Sequence, residues 1–182
     1  MAAIPPICDF NKEAQDFKLM GVDEKMYEYK DIQGSNGTLI MFICNHCPYV
    51  LAVIDRIIRD ARELKEYGIG VAAICSNDSD AYPDDSFENM KKASGEKAFP
   101  FPYLHDVDQT VARAYDAVCT PDFFGYNSEA KLQYRGRLDA SRKIAGAEDL
   151  PRDLFDAMVG IGLTGFGPKE QHASMGCSIK WK

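Results

Sequence analysis

The hydrophobic pattern is clearest in the middle of the chain. Residues 38–43 form an uninterrupted apolar run, as does the stretch 69–75, and each reads as a strand buried on both faces. Between them Val50, Ile54, Ile57, Ile58, Ala61 and Leu64 recur at helical spacing. Arg56, Arg59, Asp60, Arg62, Glu63 and Lys65 supply a wet face, Pro48 suits a first helical turn, and Gly68 supplies the stop. Strand, long helix and strand without a hairpin signal predict a βαβ unit with parallel strands.

The flanks are more broken. Residues 1–37 read as a turn-rich N-terminal extension with short alternating pieces at 16–19 and 26–29, closed by the loop signal Gly34-Ser35-Asn36-Gly37. Downstream, Ser86 is placed to cap a helix over 87–97, an extended piece covers 99–104, and a short helix covers 109–117. Residues 122–126 and 131–135 read as an antiparallel hairpin, and 150–161 as a last helix with Leu154, Phe155, Met158 and Val159 on one side. Residues 165–182 form a C-terminal tail. With no repeat or linker, the 182 residues predict one α/β domain: a central mixed β-sheet flanked by helices.

Composition narrows the function. The net charge of −7 disfavours nucleic acid and anionic lipid as partners. The longest apolar runs, 39–44 and 69–75, are far shorter than the roughly 20 residues a bilayer requires. Six cysteines would suit a disulfide framework, but the first ten residues lack a basic segment followed by an apolar one. A cytoplasmic setting is therefore the expectation, and the cysteines then point to catalytic or metal chemistry.

Cys44-Asn45-His46-Cys47-Pro48 stands where the first buried strand ends and the long helix begins. A helix start stabilises the thiolate, the reactive form of cysteine. Two intervening residues allow the sulfurs to close a small disulfide ring. Cys44 is expected to be the more exposed nucleophile and Cys47 the resolving thiol. His46 reads equally as a plain solvent-exposed histidine or as an imidazolium inside the ring that favours the Cys44 thiolate, making the pair less reducing than one with neutral intervening residues. A zinc site is the competing reading, but Cys75, His105, Cys119 and Cys177 are dispersed, without a second paired motif. Thr120-Pro121 is the second signal. It reads either as an ordinary trans proline opening an edge strand or as a cis-proline loop facing the dithiol.

Taken together, Phe42-Ile43-Cys44-Asn45-His46-Cys47-Pro48-Tyr49-Val50, Ile74-Cys75-Ser76-Asn77-Asp78, Cys119-Thr120-Pro121-Asp122-Phe123-Phe124, Tyr134-Arg135-Gly136-Arg137-Leu138-Asp139 and Gly176-Cys177-Ser178-Ile179-Lys180-Trp181-Lys182 carry a resemblance. The chain resembles the thioredoxin-like branch of the alkyl hydroperoxide reductase/thiol-specific antioxidant (peroxiredoxin) superfamily. That resemblance implies a thioredoxin fold, dithiol–disulfide chemistry at Cys44 and Cys47, and a cis Thr120-Pro121 peptide.

The peroxidatic pattern P-x-x-x-T-x-x-C fails in both registers: Gly37 and Met41 precede Cys44 where proline and threonine belong, and Ile40 and Cys44 precede Cys47. Thiol–disulfide exchange is thus the first expectation, without a bound cofactor or metal and with a protein or small-molecule disulfide or thiol as partner. A thiol peroxidase using peroxide comes second, and a non-catalytic metal-binding or interaction module third. No oligomer signal is read. Arg135 and Arg137 are expected on an exposed hairpin, and the acids of 78–88 in a solvated loop. Cys75 is expected to pack; Cys119 reads first as packing and second as a third redox thiol beside the dithiol. Cys8 has no motif, and Cys177 is marked by its place in a terminal stretch that either folds back over the site or does not. Strand 38–43 lacks the acid that often lies beneath such a dithiol, leaving the group that activates Cys47 unassigned.

Overall fold

The computed structural model describes residues 2–182. The extension opens with β1 (Ala2–Ala3), β2 (Lys18–Gly21), β3 (Met26–Glu28) and one turn of helix α1 (Tyr29–Ile32). The second alternating piece therefore ends after three strand residues. The Asp31 carboxylate accepts the Glu28 backbone N–H at 2.8 Å, and this starts the turn of helix.

The buried runs become β4 (Gly37–Phe42) and β5 (Ile69–Cys75), paired in parallel as the βαβ reading requires. Leu39, Met41 and Ile43 face one core cluster, while Ile40 and Phe42 face the other. This explains why no polar alternation marks the strand.

The intervening helix is not continuous. It comprises α2 (Pro48–Leu51) and α3 (Ile54–Leu64), separated where Val53 adopts φ −125°, ψ 0°. Its carbonyl accepts from both Arg56 and Ile57, restarting the helix. The apolar stripe continues through the break, so periodicity alone does not show it. A 3₁₀ turn over Lys65–Tyr67 then ends at Gly68, whose left-handed φ of 71° fits the predicted stop. Asp60 departs from its expected wet face: it is buried and paired with Arg59 and Arg152.

After β5 come α4 (Phe87–Glu96), β6 (Tyr103–His105), α5 (Thr110–Ala114) and β7 (Cys119–Thr120). Ser86 caps α4, its hydroxyl accepting from Asn89 N–H at 3.4 Å. The predicted hairpin is β8 (Asp122–Asn127) against β9 (Leu132–Tyr134). Helix α6 (Asp153–Thr164) starts later than expected because Pro151 disfavours helical geometry at Leu150, and it stops at Gly165.

Strands β3-β2-β6-β5-β4-β8-β9 form one mixed sheet, in which β4, β5 and β6 run parallel. Helices α3 and α6 bury Ile57, Leu64, Met158 and Ile161 in the first cluster, and α5 buries Val111 and Ala112 in the second. The tail returns as β10 (Gly176–Ser178), which lies between β1 and β7 in a separate three-stranded sheet. Among the described residues, no helix is long and apolar enough to cross a membrane.

Candidate active site

Beyond Phe42 the sheet releases the chain, and Cys44, Asn45 and His46 form a loop before Cys47 opens α2. Cys47 is the N-cap residue and Pro48 occupies the first helical position, where its missing N–H has no helical partner to lose. The expected order of exposure is present but slight: Cys44 is 3% exposed and Cys47 0%. Because α2 spans only four residues, specific neighbours rather than a long helix dipole set the environment of both sulfurs.

Thr120 is one such neighbour. Its peptide bond to Pro121 is cis. Its Oγ1 lies 3.3 Å from Cys44 Sγ, and its carbonyl oxygen accepts from Cys47 Sγ at 3.1 Å. The Cys44, Cys47, Thr120 and Pro121 positions named from sequence therefore converge.

Asp85 is the neighbour that sequence reasoning missed. It ends a 3₁₀ turn (Pro83–Asp85) and is fully buried, not solvated as the surrounding acids suggested. Its Oδ1 accepts the Asn45 backbone N–H at 2.7 Å, and its Oδ2 accepts from Asn77 Nδ2 at 2.7 Å. His46 Nδ1 lies 2.9 Å from Oδ2 but off the line of a hydrogen bond, and the ring stacks on Tyr82. Asn45 further ties the loop down by donating to the Asp84 carbonyl and accepting from the Tyr103 hydroxyl. These contacts fix the dithiol loop against the segment after β5.

The two thiols are pushed in opposite directions. A hydrogen bond to Cys47, burial and the Asp85 carboxylate all raise Cys44, and only the Thr120 hydroxyl offsets them. Cys47 is lowered, chiefly by donation from Cys44, with further help from Cys177 and the Val50 N–H. These neighbours make Cys47 the more acidic of the two thiols. Moving the shared proton from Cys44 to Cys47 gives the alternative arrangement. Cys47 S–H then points to the Thr120 carbonyl, and the Thr120 hydroxyl faces a Cys44 thiolate.

The remaining cysteines separate clearly. Cys75 is fully buried and pushed up to about 12 by burial. Cys119 is also raised by burial, and its sulfur lies 3.5 Å from the Pro121 carbonyl. Cys8 is half-buried and raised to about 11, again by burial. Cys177 is partly buried within β10, directly opposite Thr120 in the strand register. His105 is buried at the end of β6 and stacks on Phe87.

Arg135 also departs from expectation. It is buried with its Nη2 3.0 Å from Asp122 Oδ2, and it donates to the Asp116 carbonyl rather than lying on an exposed hairpin. Arg137 is half-exposed and pairs with Asp153. One sulfur, nitrogen and oxygen from Cys44, His46 and Asp85 lie within 4.8 Å of one another, a donor set of the kind that binds zinc.

The AhpC/TSA family model matches residues 10–137, and the chain belongs to that family. Two solved structures resemble nearly its whole length. An uncharacterized conserved protein from Geobacillus kaustophilus is 42% identical, with a TM-score of 0.93, covering 100% of this chain and 97% of that one. A hypothetical protein from Sinorhizobium meliloti is 33% identical, with a TM-score of 0.91, covering 98% of each chain. A secreted Mycobacterium tuberculosis disulfide oxidoreductase shares 14% identity at a TM-score of 0.60, over 79% of this chain and 94% of that one. This last likeness concerns the fold, which is the thioredoxin fold. Among curated proteins, no match to the chain is found.

Proposed function

We propose that this AhpC/TSA-family protein is a thiol–disulfide oxidoreductase, with Cys44 as nucleophile and Cys47 as resolving thiol. The convergence of both sulfurs on Thr120 carries the reading, because it supplies a partner for either placement of the shared proton. Redox chemistry at thiols also agrees with family membership.

The reaction needs no bound cofactor. With the proton on Cys47, the Cys44 thiolate attacks one sulfur of a partner disulfide. The partner S–S bond breaks, one partner thiolate leaves, and a mixed disulfide forms. Cys47 loses its proton and attacks Cys44 Sγ. The ring disulfide closes and the second partner thiolate departs. Two electrons pass to the partner, and a protein dithiol or a small thiol returns them. The decisive experiment is insulin-disulfide reduction with dithiothreitol: Cys44→Ser abolishes it if the reading is right, and unchanged activity refutes it. A cytoplasmic setting is proposed with this role, where a reducing thiol pool can turn the cycle over, and cell fractionation tests it.

Peroxidase activity is the second reading, favoured by a hydroxyl at the candidate nucleophile although no threonine occupies the peroxidatic position in sequence. Against it, Arg135 is occupied by Asp122, and the charged group beside Cys44 is the Asp85 carboxylate. Stopped-flow oxidation by hydrogen peroxide separates the two: rapid sulfenic acid formation at Cys44 followed by disulfide closure selects the peroxidase. A metal-binding module is supported by the Cys44, His46 and Asp85 donors, but both Asp85 oxygens already accept internal hydrogen bonds. Stoichiometric zinc in the purified, reduced protein selects that module instead.

A further inference from the structure

The edge of β7 beside the dithiol is already occupied by the chain's own β10. Cys177 is opposite Thr120, and Ser178 is opposite Cys119. The next residue extends the contact, with Ile179 N–H donating to the Val118 carbonyl at 3.1 Å. On its other side β10 pairs with β1, Ala2 lying opposite Cys177. An extended segment added to a sheet edge is a common mode of peptide recognition. Here the added strand is intramolecular and carries a cysteine at the position facing Thr120. Cys177 also packs against the cluster that contains Cys44, Cys47 and Val50. Its side chain and backbone N–H both act to lower the Cys47 thiol.

We propose that Cys177 is a third redox thiol, which attacks Cys47 in the Cys44–Cys47 disulfide and relays that disulfide outward. The proposal rests on the oxidoreductase reading. Cys177 loses its proton to solvent and attacks Cys47 Sγ. The Cys47–Cys177 S–S bond forms as the Cys44–Cys47 bond breaks. The electron pair of the broken bond stays on Cys44, whose thiolate faces the Thr120 hydroxyl. This is an isomerisation with no net change in oxidation state, and it requires no co-reactant. A small thiol or partner dithiol then reduces the new disulfide.

Two observations support the direction. Cys44 and Cys47 are buried, whereas Cys177 is only partly so, and exchange moves the reducible bond toward solvent. In the reduced protein Cys177 is raised to about 11 by burial first and then by its contact with Cys47. Once Cys47 is in a disulfide, that second opposition disappears.

Disulfide mapping of the full-length protein tests the relay. The protein is oxidised with glutathione disulfide, quenched in acid, alkylated and analysed by mass spectrometry. Wild type should contain both Cys44–Cys47 and Cys47–Cys177 bonds. Cys44→Ser should form an intramolecular Cys47–Cys177 bond with loss of Cys177 alkylation, and Cys177→Ser only Cys44–Cys47. Cys44→Ala serves if circular dichroism shows the serine variant unfolded. If wild type forms Cys44–Cys47 while Cys177 stays fully alkylatable in every protein, the relay is overturned and the oxidoreductase reading stands. If no protein forms Cys44–Cys47, both fall.

Discussion

The Thr120 hydroxyl lies 3.3 Å from Cys44 Sγ, while the carbonyl of the same residue faces Cys47 Sγ at 3.1 Å. One residue therefore offers a donor to the candidate nucleophile and an acceptor to its partner. Asp85 works against the first contact, since its buried carboxylate raises Cys44. Thr120 and Asp85 thus pull Cys44 in opposite directions, on top of the larger effects of Cys47 and burial.

Thr120→Val removes the donor and keeps the shape of the side chain. The Cys44 thiolate loses a hydrogen bond worth roughly 1.5 kcal/mol when the acceptor is charged, which corresponds to about a tenfold slower reaction. Iodoacetamide modification of Cys44, followed by mass spectrometry, should slow by that factor, while Thr120→Ser should react like wild type. Equal rates in all three proteins would remove the hydroxyl from the mechanism.

Asp85→Asn removes the negative charge and retains an oxygen able to accept from Asn45. The Cys44 thiolate becomes easier to form, so the pH profile of its alkylation shifts to lower pH. Stabilising the thiolate also stabilises the reduced pair, and the potential measured against glutathione rises. In wild type, by contrast, the Asp85 carboxylate opposes the effect expected of a His46 imidazolium, because it lies against both His46 and Cys44. An alkaline shift in Asp85→Asn would show instead that the carboxylate acts as the base that takes the Cys44 proton.

Much of this site follows from local pattern. The apolar run of β4, the Cys44-Asn45-His46-Cys47 motif at its end and Pro48 opening the next turn are adjacent in sequence, and each has a short-range cause. Asp85 is different. It lies 40 residues from Asn45 among other acids, and only the tertiary donors Asn45 and Asn77 account for its burial. Arg135 likewise reads as a hairpin arginine until the fold brings it against Asp122. Strand β10 has three residues and no run of apolar alternation, so its pairing with β7 is set by the sheet edge and not by its own pattern. The break at Val53 is concealed because buried residues keep helical spacing on both sides of it.

The Asp122–Arg135 pair gives a pH-dependent prediction. Burial raises the Asp122 carboxyl from its ordinary 3.8 to about 6, with Arg135 opposing part of that rise. A carboxyl raised in the folded state contributes stability that is fully present below 3.8 and lost as pH rises through about 6. The difference is worth roughly 3 kcal/mol. Asp122→Asn cannot titrate, so its stability deficit relative to wild type should shrink by up to that amount between pH 4 and pH 7. Urea unfolding at the two pH values measures it, and a deficit that grows with pH reverses the assigned sign.

Gly176 sets how closely β10 approaches the site. A Cβ at this position would stand 2.1 Å from the Thr120 carbonyl oxygen and 2.5 Å from its carbon. Both obstacles are backbone atoms, so Gly176→Ala has to displace the strand, whereas the core of the seven-stranded sheet does not depend on that contact. Overpacking of this kind costs roughly 1–3 kcal/mol, enough to raise the population of detached strand about five- to 150-fold. Amides of 176–178 should exchange with deuterium faster in Gly176→Ala, and Cys177 should alkylate faster in the native protein. On oxidation the variant should form Cys44–Cys47 normally but lose Cys47–Cys177, because the third thiol is no longer held against the second. Full retention of the Cys47–Cys177 bond in a variant whose β10 amides exchange freely would mean that strand pairing is not what presents Cys177.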